Sequence, residues 1–230
     1  MPNIPLLLGH RGAGANRAVP ENTETSFDAA LHLGCDGFEF DVRLNGLHQA
    51  VVCHPFEVDG VRVADSQEEL SYLPQLREVL VRYAQRAFLD IELKVPGLET
   101  ELLIALAEHI PQRGFVVSSF SPEVLEDLRV RCGNLPLGFI CNHPGLLDRW
   151  RDLPTRFVVP HYPLLTRALV DQIHDFGRYC LVWTVNDRDS MLQYAEWGVD
   201  GIISDEVELL ASTFRRANRG RSGAQNAVSA

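Results

Sequence analysis

Residues 37–42 read Gly-Phe-Glu-Phe-Asp-Val, and residues 91–94 read Ile-Glu-Leu-Lys. In an extended strand, residues two apart share a face. Phe38, Phe40 and Val42 therefore make one side of the first stretch, and Glu39 and Asp41 the other. The apolar side calls for helices packed over it. The carboxylate side calls for an interior that opens to solvent at its end. Glu92 and Lys94 form a second same-face pair, set beside Ile91 and Leu93.

Outward from these stretches, short apolar runs alternate with amphipathic ones. Strands are expected at residues 4–8, 37–42, 87–93, 115–119, 135–140, 156–159, 180–184 and 201–203. Each is bounded by Gly, Pro or a polar residue, as buried parallel strands are. Between them, Phe27, Ala30, Leu31 and Gly34 recur with helical period. Leu102, Leu103, Leu106, Ala107 and Ile110 do the same, as do Leu165, Leu169 and Ile173. Ser121 before Pro122 reads as a helix cap, and Asn22 or Thr23 as another.

Eight strand-plus-helix units of roughly 27 residues each predict a (β/α)8 TIM barrel near the lower size limit of that fold. A doubly wound open sheet is the alternative; the even spacing and the count of eight favour closure. One domain is expected over residues 1–215. Residues 51–53 read as a short extra strand, and 54–73 as an irregular insertion after strand 2. Residues 216–230, polar and rich in Gly, Ser and Ala, read as a disordered tail.

The chain of 230 residues carries 21 basic and 31 acidic side chains, a formal net charge of −10. That balance excludes a general nucleic-acid binder, which needs a basic stripe. It leaves room for a locally positive site taking an anion. The five cysteines are widely spaced with no C-x-x-C pair, which reads as free thiols in a reducing compartment. Residues 4–8 are too short for a signal segment and no window suits a membrane span, so a cytoplasmic protein without stable membrane insertion is expected. Nothing in the sequence sets an oligomeric state. Of the 21 basic residues 20 are Arg, and Lys94 is the one lysine.

In such barrels the site forms at the C-terminal ends of the strands. Those ends carry His10 and Arg11 on strand 1, Glu39 and Asp41 on strand 2 with His54 beyond it, and Glu92 and Lys94 on strand 3. Ser118 and Ser119, His161, Trp183 and Asn186, and Ser204 and Asp205 follow on later strands. Converging carboxylates repel each other unless a cation intervenes, and an all-oxygen set suits Mg²⁺ or Ca²⁺. His10 and His54 would flank it as a proton-transfer pair, with Arg11 and Lys94 holding an anion. Together these groups suit phosphate-ester chemistry. Singly they read otherwise: Glu-x-Asp as a salt-bridged rim, a strand-end His as structural, Asn22 as a cap only. Phe120, His161 and Trp183 read equally as barrel filling or pocket wall. Ser118 and Ser119 lack the nucleophile-elbow context.

The ordered set His10-Arg11-Gly12, Pro20-Glu21-Asn22-Thr23, Glu39-Phe40-Asp41-Val42, His54 and Ile91-Glu92-Leu93-Lys94 resembles the glycerophosphodiester phosphodiesterases. Residues 183–186 (Trp-Thr-Val-Asn) and 199–205 (Val-Asp-Gly-Ile-Ile-Ser-Asp) fit the last two strands of that family. The resemblance implies a TIM barrel that hydrolyses a small-molecule glycerophosphodiester to sn-glycerol 3-phosphate and an alcohol. It implies a divalent metal on Glu39, Asp41 and Glu92, His10 and His54 as acid/base pair, and Arg11 and Lys94 on the phosphate. Phe120 and Trp183 would line the glycerol side. Two features depart from the family pattern: Pro55 follows His54 where Asp is common, and a Leu-x-Arg-Thr-Thr stretch is absent. A lysophospholipase D-like lipid phosphodiesterase and a non-catalytic phosphodiester-binding barrel are the rival readings.

Overall fold

The computed structural model describes residues 4–14 and 19–222, the stretch 216–222 as backbone only. Along it run β1 (Leu6–Gly9), α1 (Glu24–Leu33), β2 (Gly37–Leu44), β3 (Ala50–Val52), β4 (Glu57–Val58), β5 (Val61–Arg62) and α2 (Leu76–Tyr83). Then come β6 (Phe88–Leu93), α3 (Glu99–Glu108), β7 (Phe115–Ser119), α4 (Pro122–Arg131), β8 (Leu137–Cys141) and the short α5 (Pro144–Leu147). The chain continues through β9 (Phe157–Pro160), α6 (Arg167–Asp175), β10 (Tyr179–Val182), α7 (Arg188–Trp197), β11 (Gly201–Ser204) and α8 (Val207–Ser222).

Eight of these strands pair in parallel in the order β1-β2-β6-β7-β8-β9-β10-β11, and β11 pairs back onto β1 through Leu6↔Gly201 to Gly9↔Ser204. The sheet is therefore the closed (β/α)8 barrel expected from the unit count. Closure removes both sheet edges, and the helices cover the outer face. Gly37 shows how tightly β2 and β6 approach: a Cβ there would lie 1.8 Å from the carbonyl oxygen of Phe88.

The alternation read from residues 37–42 sorts the side chains as expected. Phe38 and Phe40 point outward into a fully buried cluster with Phe27 of α1 and Tyr83 of α2. The Phe27 and Phe38 rings stack with centroids 4.2 Å apart. Inside the barrel, Leu8, Phe88, Val116, Ile140, Phe157, Val159, Leu181 and Ile203 form a separate apolar plug. On β6 the inward side runs Phe88, Asp90, Glu92, so the interior turns from apolar to acidic toward the C-terminal mouth.

Two expectations change. Residues 54–73 are not irregular throughout. After β3, which adds antiparallel to β2 through Val42↔Val52, comes a β4–β5 hairpin. Its turn is Asp59-Gly60, with φ of 51° and 78°, a dipeptide that favours this tight hairpin. Val51, Cys53, Val63 and Leu70 bury together beneath it. At the other end, helix α8 continues through residues 216–222, the first part of the stretch expected to be disordered. The Arg and Ala residues there are good helix formers and extend a helix already anchored by Leu210 and Phe214. Residues 223–230 lie outside the described residues. Among the described residues no helix is long and apolar enough to cross a membrane.

Candidate active site

The strand register assembles the acidic groups. On the β2–β6 ladder Glu39 faces Asp90 and Asp41 faces Glu92, so four carboxylates enter one interior at two levels. Glu39, Asp41 and Glu92 are buried, and each can place one oxygen within 4.8 Å of the others. The Lys94 ammonium lies 3.2 Å from Asp41 Oδ1 and 2.6 Å from Glu92 Oε1. Glu39 Oε1 is buried with no hydrogen-bond partner.

Arg11 and Asn22 close the set from the β1–α1 loop. The Arg11 backbone, at φ 52°, turns its N–H to donate to Glu39 Oε2 at 3.0 Å. Its guanidinium donates to both carboxylate oxygens of Glu21 and lies 3.2 Å from Asp41 Oδ2. Asn22 donates from Nδ2 to Asp41 Oδ2 at 2.8 Å and accepts from the Asp41 N–H at 3.2 Å. Thr23, not Asn22, caps α1. Asn22 is thereby free to lock Asp41, a role its cap-like context hid.

The electrostatics follow from burial and from who faces whom. Burial, with the charges of Asp41, Glu92 and Asp90, pushes the Glu39 carboxyl well above the ordinary carboxylate range. Glu92 is raised by burial and Asp41, against the pull of Lys94. Asp41 goes the other way: burial opposes its charge, but Lys94, Arg11 and the Asn22 hydrogen bond together hold it below its usual value. Asp90, fully buried beneath the cluster, is pushed up to about 7 by desolvation, although Ser118 Oγ donates to it at 2.5 Å. Such a nest, with unpartnered buried oxygens and hard donors only, fits a divalent cation.

His10 follows β1 and lies against this nest, Nε2 3.8 Å from Glu39 Oε2. Its Nδ1 is 2.6 Å from Asp205 Oδ1, at the end of β11. His54 follows β3. Its carbonyl accepts from Arg43 Nε at 2.8 Å, and Cys53 beside it donates its N–H to the Asp41 carbonyl at 3.1 Å. Burial lowers the His54 imidazole, with Asp41 opposing and Arg11 and Lys94 assisting.

Aromatic side chains wall the opposite side of the mouth. Lys94 Nζ is 5.7 Å from the Phe120 ring centroid, Phe120 meets Trp183 edge-to-face at 5.7 Å, and Trp183 lies 4.9 Å from His161. Trp183 Nε1 donates to the Val159 carbonyl, which fixes the indole. The structure thus gathers His10, Arg11, Glu39, Asp41, Glu92 and Lys94 by direct contact, with Phe120 and Trp183 joined through Lys94. Ser119 Oγ donates to the Leu93 carbonyl, so neither Ser118 nor Ser119 is a poised nucleophile. Sequence reasoning passed over Asp90 altogether. A period-two count from Glu92 would have placed it on the same inward face.

The model of the glycerophosphoryl diester phosphodiesterase family matches residues 10–102 and 99–209. A glycerophosphodiester phosphodiesterase of Caldanaerobacter subterraneus subsp. tengcongensis is 30% identical over 92% of this chain and 98% of its own length. One of Bacillus subtilis is 24% identical over 95% of this chain and 88% of its own. Among solved structures, a glycerophosphodiester phosphodiesterase of Thermotoga maritima superposes with TM-score 0.79 at 24% identity, covering 91% of this chain and 98% of that one. An Oleispira antarctica phosphodiesterase in complex with the product sn-glycerol-3-phosphate gives TM-score 0.79 at 24% identity, covering 92% and 97%.

Proposed function

The chain belongs to the glycerophosphoryl diester phosphodiesterase family, and from that premise we propose that its barrel mouth hydrolyses glycerophosphodiesters to sn-glycerol 3-phosphate and an alcohol. It is a phosphoric diester hydrolase whose substrate is a small molecule. The observation that carries the reading is the buried trio Glu39, Asp41 and Glu92, with Glu39 Oε1 left without a partner, beside His10 and the two fixed cations Arg11 and Lys94.

Glu39, Asp41 and Glu92 would hold Mg²⁺ or Ca²⁺. When bound, that ion supplies positive charge against the phosphoryl oxygens. Arg11 and Lys94 bind and orient the phosphate. One of His10 and His54 removes the proton from the glycerol 2-hydroxyl as its oxygen attacks phosphorus. The other donates a proton to the departing alkoxide. The resulting cyclic phosphate is opened by water, the two histidines exchanging roles. Phe120 and Trp183 exclude water beside the glycerol carbons. Five free cysteines suit a reducing compartment, the cytoplasm.

The lipid-directed reading is less well supported. Of the apolar residues in the insertion, Val63 and Leu70 are buried and Val58, Val61 and Leu73 pack against them. Phe56 and Tyr72 are the large apolar side chains of that set that are exposed, and the Tyr72 hydroxyl donates to Asp59. Most of the apolar surface of that stretch is thus spent on packing within it and not presented to an acyl chain.

The test is turnover of glycerophosphocholine, glycerophosphoethanolamine and a lysophospholipid, each with Mg²⁺, Ca²⁺ or EDTA. Both glycerophosphodiesters should be cleaved with a divalent ion and not with EDTA. A clear preference for the lysophospholipid would replace the reading with the lipid-directed one. No turnover under any condition would leave a phosphodiester-binding barrel.

A further inference from the structure

We infer that Asp205, braced by Asn186, is a positioning residue that fixes the tautomer and ring orientation of His10. The inference rests on the hydrolase reading of the site and adds a residue that the proton-transfer pair does not include.

The contact is short: Asp205 Oδ1 lies 2.6 Å from His10 Nδ1, with both side chains largely shielded from solvent. A carboxylate at that distance accepts the Nδ1 proton. In the neutral ring Nε2 is then the nitrogen without a proton, on the side that faces the carboxylate nest, where Glu39 Oε2 lies 3.8 Å away. Asp205 itself is held at two further points. Its Oδ2 accepts from Asn186 Nδ2 at 2.7 Å, and its backbone N–H donates to Asn186 Oδ1 at 2.9 Å. Ser204 Oγ donates to the same Asn186 oxygen at 3.1 Å while accepting from the Glu206 N–H at 3.0 Å. The His10 backbone is pinned as well, its N–H donating to the Ser204 carbonyl at 2.9 Å.

His10, Ser204 and Asp205 sit at the seam where β11 closes onto β1, and Asn186 reaches them from the loop between β10 and α7. Asn186 has its amide orientation set by these contacts: turning the amide would face its NH₂ to the Asp205 N–H and its oxygen to a carboxylate oxygen. The brace is therefore a fixed structure around one ring. His54 is held differently, by its backbone carbonyl on Arg43. The two histidines are not equivalent, and His10 is the one whose proton position the fold dictates.

A carboxylate that orients a catalytic imidazole influences the chemical step far more than substrate binding. Asp205→Asn preserves size but presents an amide that can settle with its NH₂ toward the ring, favouring the other tautomer. With glycerophosphocholine and Mg²⁺, kcat should fall about 10²–10⁴-fold while KM changes less than about threefold. Long-range ¹⁵N–¹H NMR of the imidazole should show Nδ1–H at His10 in the unsubstituted protein and its loss in Asp205→Asn. Asn186→Ala, which leaves Asp205 in place but unbraced, should give a smaller fall in kcat and a mixed tautomer signal.

Retention of kcat within about threefold in a folded Asp205→Asn overturns the inference. So does an Nε2–H tautomer at His10 in the unsubstituted protein. If Asp205→Asn does not fold, the spectrum of the unsubstituted protein and Asn186→Ala decide. The imidazole spectrum needs no turnover, so an unsubstituted protein that cleaves none of the diesters fails the hydrolase reading while the Asp205 contact is still read directly.

Discussion

Lys94 is where the choice of one side chain is most visible. The arginines of this chain serve as multi-donor clamps. Arg129 donates to the carbonyls of Gly133, Leu135 and Pro154, and Arg178 to those of Trp150 and Arg151 and to the Thr155 hydroxyl. A planar fork with five donors suits such work. Lys94 has a different task. Its single nitrogen bridges Asp41 and Glu92 in a buried nest against Phe120, where a broad guanidinium would crowd the ring and both carboxylates. Lys94→Arg should therefore keep the fold, with an unchanged circular dichroism spectrum, and lose most of the activity, by about 10²-fold or more in kcat/KM. Activity within a few-fold of the unsubstituted protein would show that charge alone suffices. Composition marked this residue by its rarity, and period two placed it beside Glu92. Asp205 was visible only as a strand-end acid, because nothing local ties it to a histidine 195 positions away.

At the scale of elements, β2 shows how one strand serves packing and chemistry at once. Its even-numbered side chains seal α1 and α2 against the barrel, and its odd-numbered ones build the nest. The two jobs are separable because the pleat points them apart. Phe38→Ala should destabilise the fold by about 3–5 kcal/mol, since it empties a fully buried site stacked on Phe27 and edge-on to Tyr83. Denaturant unfolding should read that loss, while kcat per folded molecule at low temperature stays near that of the unsubstituted protein. A comparable fall in kcat would mean that β2 shifts bodily and carries Glu39 and Asp41 with it. Element boundaries were legible to within a few residues because Gly and Pro punctuate the strand ends. The β4–β5 hairpin was less so: its two-residue strands offer too short an alternation to read, and Asp59-Gly60 was its one strong signal.

For the whole molecule, the acidic interior sets a dependence of stability on pH and on cations. A carboxyl raised in the fold keeps its proton where the unfolded chain has already lost it, so stability declines as pH rises from about 4 through the folded value. Glu39, Glu92 and Asp90, the last at about 7, all act in this sense. Asp41 acts oppositely, its contribution present above about 4 and lost as pH falls through its lowered folded value. Between about pH 5 and 8 Asp41 is constant, and the lowered imidazoles of His54 and His161 act against the raised carboxyls, of which fully buried Asp90 alone spans most of that window. The metal-free protein should be less stable at about pH 8 than at about pH 5, by on the order of a few kcal/mol, and should unfold at a lower temperature there. Millimolar Mg²⁺ or Ca²⁺ should raise the midpoint most at the higher pH, where the carboxylates are free of protons to bind it. A midpoint that rises from pH 5 to 8 without metal, or does not respond to either ion, would contradict this account of the nest.

The sequence by itself determined the eight-unit barrel, the inward placement of Glu39, Asp41, Glu92 and Lys94, and the gathering of His10, Arg11 and His54 at one end. These are consequences of period two, of period 3.6 and of strand polarity, all written in neighbouring residues. Only the tertiary structure decided that Asn22 locks Asp41, that Asp90 and Ser118 lie beneath the nest, and that Asp205 and Asn186 hold His10. These contacts depend on register between strands and on closure of β11 against β1. Register and closure are set by packing over the whole barrel, so no local stretch of sequence carries them.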